Sequence, residues 1–78
     1  MATLRMFASA REAAGRATDE FEGATVGDVL DAAVAAYGAA FEGVLTTCAI
    51  WCNGDPVERD HPVVAADEVA VLPPVSGG

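Results

Sequence analysis

The stretch TVGDVLDAAVAAYG, residues 25–38, decides the fold of this chain. Its first four residues match a capping box, in which the Thr25 hydroxyl accepts from the amide of Asp28 and the Asp28 carboxylate reaches back. The apolar residues recur at helical spacing and form one stripe: Val26, Val29, Leu30, Ala33, Val34 and Tyr37. Gly38 is typical of a helix C-terminus. The stretch therefore predicts one amphipathic helix that buries a single face.

The sequence around this helix predicts a small β-sheet. Five segments have strand character, the second being weak and expected at an edge: residues 3–7, 18–21, 48–52, 57–59 and 68–72. Asn53-Gly54 predicts a hairpin turn between the third and fourth segments. Pro56 has no amide hydrogen, so the fourth strand is expected to be short or at an edge.

Two further segments favour short helices. Residues 8–14 are strong helix formers that stop at Gly15, a good C-terminal cap, and residues 40–45 favour a helical turn. One main helix over a mixed sheet of four to five strands, with a short extra helix after the first strand, is an α+β arrangement.

The acidic composition limits the possible partners. The 78 residues are expected to form one domain, and they carry twelve Asp and Glu against four Arg, for a net charge of −8. Such a surface repels phosphate backbones and anionic lipid, so no nucleic-acid or membrane partner is expected. No apolar run reaches the ~20 residues of a membrane-spanning helix, and the N-terminus is unlike a secretion signal. We therefore expect a cytoplasmic protein.

The side chains that could carry chemistry do not form a recognisable active site. Cys48 and Cys52 on one strand would have Cα atoms roughly 13 Å apart, beyond disulfide reach. Their spacing fits neither a metal site nor a redox pair, so we predict two reduced core cysteines and no metal. His61 has no paired nucleophile and is expected to face solvent or to cap a helix. Asp67-Glu68 favours a turn over an acid–base dyad.

The C-terminus is the most informative part of the sequence. Pro73-Pro74 follows the last predicted strand and favours an extended conformation that holds Val75-Ser76-Gly77-Gly78 away from the body. Glycines lack a Cβ and can enter a narrow slot in another protein. A frayed end or an expression remnant is the simpler alternative. A rigid spacer, a slim tip and a free carboxylate together favour a terminus presented to another enzyme.

At this point the sequence resembles a known family. Residues 67–78 (DEVAVLPPVSGG) resemble the C-terminal signature of the small subunit of molybdopterin synthase, a MoaD-like member of the MoaD/ThiS family of ubiquitin-like sulfur carriers. Residues 7–15 resemble that family's first strand and its Arg-Glu-containing short helix. Residues 25–30 resemble the start of its main helix, and residues 57–62 its acidic loop. The resemblance implies a single β-grasp domain over residues 1–78 with a flexible tail at 73–78.

The resemblance also implies a function. An ATP-dependent adenylating enzyme would convert the carboxylate of Gly78 into an acyl-adenylate, and sulfur would then replace AMP to give a thiocarboxylate. The thiocarboxylate would supply sulfur for the molybdopterin dithiolene in molybdenum cofactor biosynthesis. The chain would be the non-catalytic, sulfur-donating small subunit in a heterotetramer with the large subunit, which supplies the acid–base groups. It would bind no cofactor itself, since ATP is used by the activating partner.

The residues expected to contact a partner lie at the tail and beside it. An apolar patch is expected around Phe7, Leu72 and Val75, although ordinary core packing is an alternative for at least one of them. The full partner-binding set is Phe7, Leu72, Pro73, Pro74, Val75, Ser76 and Gly77. Trp51 is expected to pack in the core rather than to form an interface contact.

Three other functions remain open at the level of sequence. The same chemistry could serve thiamine or cysteine synthesis. A ubiquitin-like modifier would be joined through Gly78 to lysines of other proteins. A plain interaction module with an inert tail would keep its function when Gly77 and Gly78 are removed.

Overall fold

The structure is a computed structural model, and it describes residues 1–74. These residues form eight helices and strands. In chain order they are β1 (Ala2–Met6), α1 (Ala8–Ala14), β2 (Thr18–Phe21), α2 (Val26–Tyr37), α3 (Ala39–Leu45), β3 (Ala49–Cys52), β4 (Asp55–Pro56) and β5 (Glu68–Leu72). Both short helices and the main helix lie where the sequence predicts them.

The strands form one mixed sheet in the order β2-β1-β5-β3-β4. β1 and β5 are parallel, and the other neighbouring pairs are antiparallel. The C-terminal strand is therefore the middle strand of the sheet. A five-stranded mixed sheet with a main helix against one face is the β-grasp fold, as expected from the sequence.

The main helix α2 begins where the capping pattern predicts it. The backbone amide of Asp28 donates to Thr25 Oγ1 at 3.2 Å. The Asp28 carboxylate accepts from the amide of Ala24 at 3.1 Å, one residue before the predicted partner. At the other end, the amide of Gly38 donates to the carbonyl of Val34 at 2.8 Å. Both ends thus have partners for backbone groups that a helix leaves unpaired.

The core lies between α2 and the inner face of the sheet. Alternate residues of the strands point inward, as the two-residue strand period requires. The largest fully buried side chains are Phe41, Leu4, Met6, Leu30, Val26, Val29, Val69 and Val71. Each such side chain contributes roughly 1.5–3 kcal/mol of burial free energy, because its apolar surface leaves water.

α3 contributes more to this core than a simple helical turn would. Phe41 is fully buried, and its ring meets the Tyr37 ring edge-on with centroids 5.1 Å apart. Tyr37 in turn meets Phe21 at 5.8 Å. This aromatic row joins α3, α2 and the edge strand β2, which the sequence predicts to be weak.

The predicted return strand at residues 57–59 is wrong. The strand that follows the hairpin is Asp55–Pro56, which pairs with β3. Asn53 and Gly54 have φ of 51° and 90°, as a tight two-residue turn requires. Pairing therefore resumes at residue 55, and Pro56 lies at the edge of the sheet as expected.

The amide of Val57 still donates to the carbonyl of Ile50 in β3 at 3.0 Å. Residues 58–62 then leave the sheet, because polar groups of this segment bind α2. The Arg59 carbonyl accepts from the amide of Gly27 at 2.7 Å, and the Arg59 guanidinium pairs with Asp31. The carbonyl of His61 accepts from the amide of Val26 at 2.9 Å. This segment therefore caps the start of the main helix, and His61 is exposed, as predicted.

Both cysteine thiols are free. Cys52 is buried in the core and Cys48 is half-buried beside it. Burial raises the pKa of each thiol above its ordinary value, which makes the reactive thiolate scarcer at neutral pH. The predicted role of small core residues is confirmed.

Candidate functional site

The tail leaves the body from the most firmly held strand of the sheet. β5 is paired along β1 on one side and along β3 on the other. At its end, Leu72 pairs with Ala49, and the carbonyl of Val71 accepts from the amide of Phe7 at 3.3 Å. Pro73 and Pro74 follow directly. We call this end of β5, Val71 to Pro73, the tail root.

The predicted reacting group lies beyond the described residues. Val75, Ser76, Gly77 and Gly78 fall outside residues 1–74, so their predicted roles stay predictions, as does the flexible tail. Pro73 is half-buried and Pro74 is exposed. What the structure describes is the surface from which the tail departs.

The face of the sheet opposite the core carries an apolar strip that leads to the tail root. The strand register places Trp51 between Ala70 and Pro56 in one row, and Ala49 beside Leu72 in the next. We call these five residues the outer strip. All are exposed or half-buried. Contiguous exposed apolar patches are typical of contact surfaces, which makes the outer strip a candidate for one.

The prediction that Trp51 packs in the core is wrong. The side chain is 37% exposed and belongs to the outer strip. Residues 48–52 are apolar at almost every position, so alternation alone cannot say which set points inward. The register decides it: Cys52 pairs with the buried Val69, and its neighbour Trp51 must then face outward.

Phe7 lies beside the tail root, as the sequence predicts. It follows β1 in the outward-pointing set and is 39% exposed. The next residue, Ala8, has φ of 49°, a left-handed conformation that is unfavourable for a residue with a Cβ. The chain turns sharply there into α1. The structure thus brings Phe7 and Leu72 to the same end of the sheet, although their contact with a partner stays a prediction.

Asp67 forms a turn, as predicted. Its carboxylate accepts from the amide of Val64 at 2.9 Å and from the side-chain amide of Asn53 at 2.9 Å. These hydrogen bonds, that from Val64 first, hold the pKa of Asp67 below its usual value. The turn before β5 is thereby tied to the β3–β4 hairpin, which fixes the start of the strand that ends at the tail root.

A second polar contact braces the far edge of the sheet. The Tyr37 hydroxyl donates to the Asp19 carboxylate at 2.6 Å, and Arg16 lies 3.2 Å from the same carboxylate. The hydrogen bond from Tyr37 is the main reason that the pKa of Asp19 is lowered. Burial, followed by the bond to Asp19, raises the pKa of Tyr37. This contact joins β2 to α2.

Within residues 1–74, no group of His, Cys, Asp and Glu side chains is arranged to hold a metal ion. Over the same residues, no helix combines the length and the apolar character needed to cross a membrane.

These features define a class of protein. A β-grasp domain sends its middle strand into a C-terminal tail that ends in Gly-Gly, and an apolar strip lies beside the point of departure. This is the architecture of a ubiquitin-like protein. Residues 4–78 match the model of the ThiS family, so the chain belongs to this family of ubiquitin-like sulfur carriers.

Relatives of known description support this assignment. The chain is 38% identical over 77 residues to the molybdopterin synthase sulfur carrier subunit of Chlamydomonas reinhardtii, with 92% of each chain covered. It is 37% identical over 84 residues to small archaeal modifier protein 1 of Haloferax volcanii, covering 95% of this chain and 97% of the relative. A crystal structure of that archaeal protein superposes with a TM-score of 0.85 at 35% identity, covering 99% and 98% of the two chains.

Proposed function

We propose that this chain is the sulfur-donating small subunit of a molybdopterin synthase, with Gly78 as the group that carries sulfur. The observation that carries the proposal is its similarity to the Chlamydomonas reinhardtii sulfur carrier subunit over 92% of both chains. The Pro-Pro-Val-Ser-Gly-Gly ending at residues 73–78 and the short helix α1 agree with it.

The chemistry requires activation of a poor electrophile. A carboxylate oxygen of Gly78 attacks the α-phosphate of ATP, pyrophosphate leaves, and an acyl-adenylate forms. The terminal sulfur of a donor persulfide then displaces AMP and gives an acyl disulfide. A second thiol attacks that disulfide, forms a new disulfide with the donor and releases the Gly78 thiocarboxylate. The ATP is bound by the activating enzyme, and the chain itself needs no cofactor.

The acid–base groups for sulfur transfer are supplied by the partner. The tail root and the two residues that hydrogen-bond or pair with it are apolar: Val71, Leu72, Pro73, Phe7 and Ala49. None of them can move a proton at neutral pH. Two thiocarboxylate tails in succession would supply the two sulfurs of the dithiolene, in a heterotetramer with the large subunit.

A second candidate function is that of a protein modifier. The chain is nearly as similar to small archaeal modifier protein 1 as to the algal carrier. In that case the acyl group of Gly78 would pass to the ε-amino group of a lysine, with loss of the activating group and formation of an amide. The activated intermediate is shared, so the two functions separate only at the acceptor. Sulfur carriers for thiamine or cysteine synthesis share the thiocarboxylate and differ in its acceptor.

Top-down mass spectrometry tests the proposal. The chain is incubated with ATP, a persulfide donor and the cognate activating enzyme, and fragment ions locate the added mass. Location is essential, because exchange of oxygen for sulfur nearly matches oxidation of Met1, Met6 or Trp51. The thiocarboxylated chain is then mixed with the large subunit and the pterin precursor. Sulfur on Gly78 followed by dithiolene formation supports the proposal.

Two other outcomes would overturn part or all of it. Sulfur on Gly78 without transfer to the pterin leaves a carrier of another pathway. An unmodified Gly78, with an activating enzyme shown to work on another carrier, removes the carrier function for this chain. Gly-Gly remnants on cellular lysines would favour the modifier.

A further inference from the structure

A small basic cleft lies beside the tail root. It has a volume of about 250 Å³, and its lining includes Arg5, Phe7, Arg11 and Thr18. Arg5 of β1 pairs with Thr18 of β2, and Arg11 stands on α1, across the sharp turn at Ala8. Because the amide of Phe7 bonds the carbonyl of Val71, the cleft shares a wall with the tail root.

The charge of this cleft is opposite to that of the chain. The sequence holds four arginines against twelve acidic residues, and two of the four arginines meet here. The other two lie outside the cleft, where Arg16 pairs with Asp19 and Arg59 with Asp31. None of the residues that line the cleft is acidic. The net negative charge of the domain is enough to keep it soluble. Solubility therefore does not explain why two arginines lie together in this cleft.

Among residues 1–74, Arg11 has no carboxylate partner, and Arg5 has one exposed ion pair. Glu68 lies 3.6 Å from Nε of Arg5, and both of these side chains are about half exposed. Exposed pairs of this kind contribute little stability. A guanidinium group can bind a carboxylate through two parallel hydrogen bonds, one to each oxygen. The side chains of Arg5 and Arg11 can each bind a carboxylate in this way.

The size of the cleft limits what it can hold. Sites for small organic ligands and cofactors usually measure about 300–1,000 Å³. At about 250 Å³ this cleft is smaller, and it suits one acidic side chain better than a nucleotide. The exposed ring of Phe7 offers an apolar wall for the methylene groups of such a side chain.

We propose that this cleft binds an Asp or Glu side chain of the enzyme that takes up the tail, and that this contact sets the orientation of the complex. The inference rests on the proposed function. A partner surface that complements a charge of −8 is mainly basic and would be repelled by Arg5 and Arg11. A partner with a single carboxylate can place it in this cleft in only one orientation of the complex. In other orientations its basic surface would face Arg5 and Arg11, so misaligned complexes are destabilised.

The test compares two variants with the same change in charge. Arg11→Gln removes a cleft residue, and Arg16→Gln removes an arginine outside it. The affinity of each full-length chain for the activating enzyme and for the large subunit is measured by titration calorimetry. We expect Arg11→Gln to weaken binding to at least one of them by roughly 5- to 20-fold, and Arg16→Gln by less than about twofold. Arg11→Lys should recover part of the loss.

Salt provides a readout that a purely structural role would not change. The difference between wild type and Arg11→Gln should shrink as salt is raised from about 0.05 to 0.5 M, because charges are then screened. Equal effects of the two Gln variants, or tighter binding by Arg11→Gln, would overturn the inference. So would saturable binding of inorganic phosphate at Arg11, since the cleft would then be a phosphate site. Failure of sulfur to reach Gly78 in the wild type would instead overturn the proposed function.

Discussion

Gly27 donates its backbone amide to the carbonyl oxygen of Arg59 at 2.7 Å, and a Cβ added at position 27 would lie only 3.1 Å from that same oxygen. The first turn of α2 and the segment at residues 57–62 therefore approach each other as closely as two backbones can. Gly27 is helical, and any residue can adopt its backbone conformation. Glycine is therefore needed here only because a Cβ has too little space.

Substitution of this glycine should destabilise the domain. Alanine is favoured over glycine in a helix by about 1 kcal/mol, but the added methyl would force the Arg59 carbonyl away from its donor. We expect Gly27→Ala to lower the free energy of unfolding by roughly 1 kcal/mol net. Gly43→Ala is the matched control, since a Cβ at Gly43 of α3 meets nothing within 4 Å. Urea denaturation should show a loss for the first variant and a small gain for the second.

Phe7→Ala should affect binding more than folding. The Phe7 side chain is 39% exposed, so its removal should cost less than about 1.5 kcal/mol of stability. If Phe7 packs against the enzyme that takes the tail, the same change should weaken that complex roughly tenfold or more. Scanning calorimetry and binding titrations on one preparation compare the two effects. A large drop in melting temperature with unchanged affinity would make Phe7 a core residue.

Trp51 reports on the outer strip. It is the single tryptophan, and its partial exposure predicts fluorescence that external quenchers can reach in the free chain. Addition of the large subunit should shift the emission to the blue and protect it from quenching, because the ring would leave water. Trp51→Ala should weaken binding by roughly tenfold or more. Unchanged emission in the complex would place the interface elsewhere.

The Tyr37–Asp19 contact should make stability depend on pH at both extremes. The pKa of Asp19 is lowered from its ordinary 3.8, so its contribution is present above about pH 4 and is lost as pH falls through the folded-state pKa. The pKa of Tyr37 is raised from its ordinary 10.0. Its contribution is complete below that pH and is lost as pH rises through the higher folded-state pKa.

Tyr37→Phe tests this assignment. The variant removes the hydroxyl and keeps the aromatic row with Phe21 and Phe41. Unfolding by urea should show a flatter pH profile for the variant above about pH 10 and below about pH 4, with a modest loss of stability at neutral pH. Val34→Ala in the same helix is a suitable control, since it should lower stability at every pH without changing the profile.

Patterns that are local in sequence gave correct predictions. The period of the apolar residues in α2, the Asn53-Gly54 turn and the alternation in β5 each depend on neighbours along the chain. The main helix, the hairpin turn and the last strand are therefore predicted to within a residue. The resemblance carried by residues 67–78 indicated the family, which the match over residues 4–78 confirms, while the role of Gly78 stays a prediction.

Features that depend on contacts between distant segments were missed. Residues 57–59 have strand character, but the contacts of Arg59 with Gly27 and Asp31 draw the chain away from the sheet after Val57. Trp51 faces outward because Cys52 pairs with Val69, a register that no local pattern specifies. The cleft at Arg5 and Arg11 forms only because the turn at Ala8 brings α1 back beside β1. The sequence contains only one indication of this cleft. The chain has four basic residues, and two of them, Arg5 and Arg11, are six positions apart.

The position of β5 in the middle of the sheet also has a consequence during protein synthesis. β1 is made first and β5 last, and neither β1 nor β3 can complete its pairing until β5 has left the ribosome. Folding of the sheet must therefore wait for β5, with long-range pairing that closes slowly. A chain cut short before Leu72 lacks its central strand and should be cleared as unfolded protein. Every folded molecule has thus been translated through the strand that precedes Pro73 and Pro74.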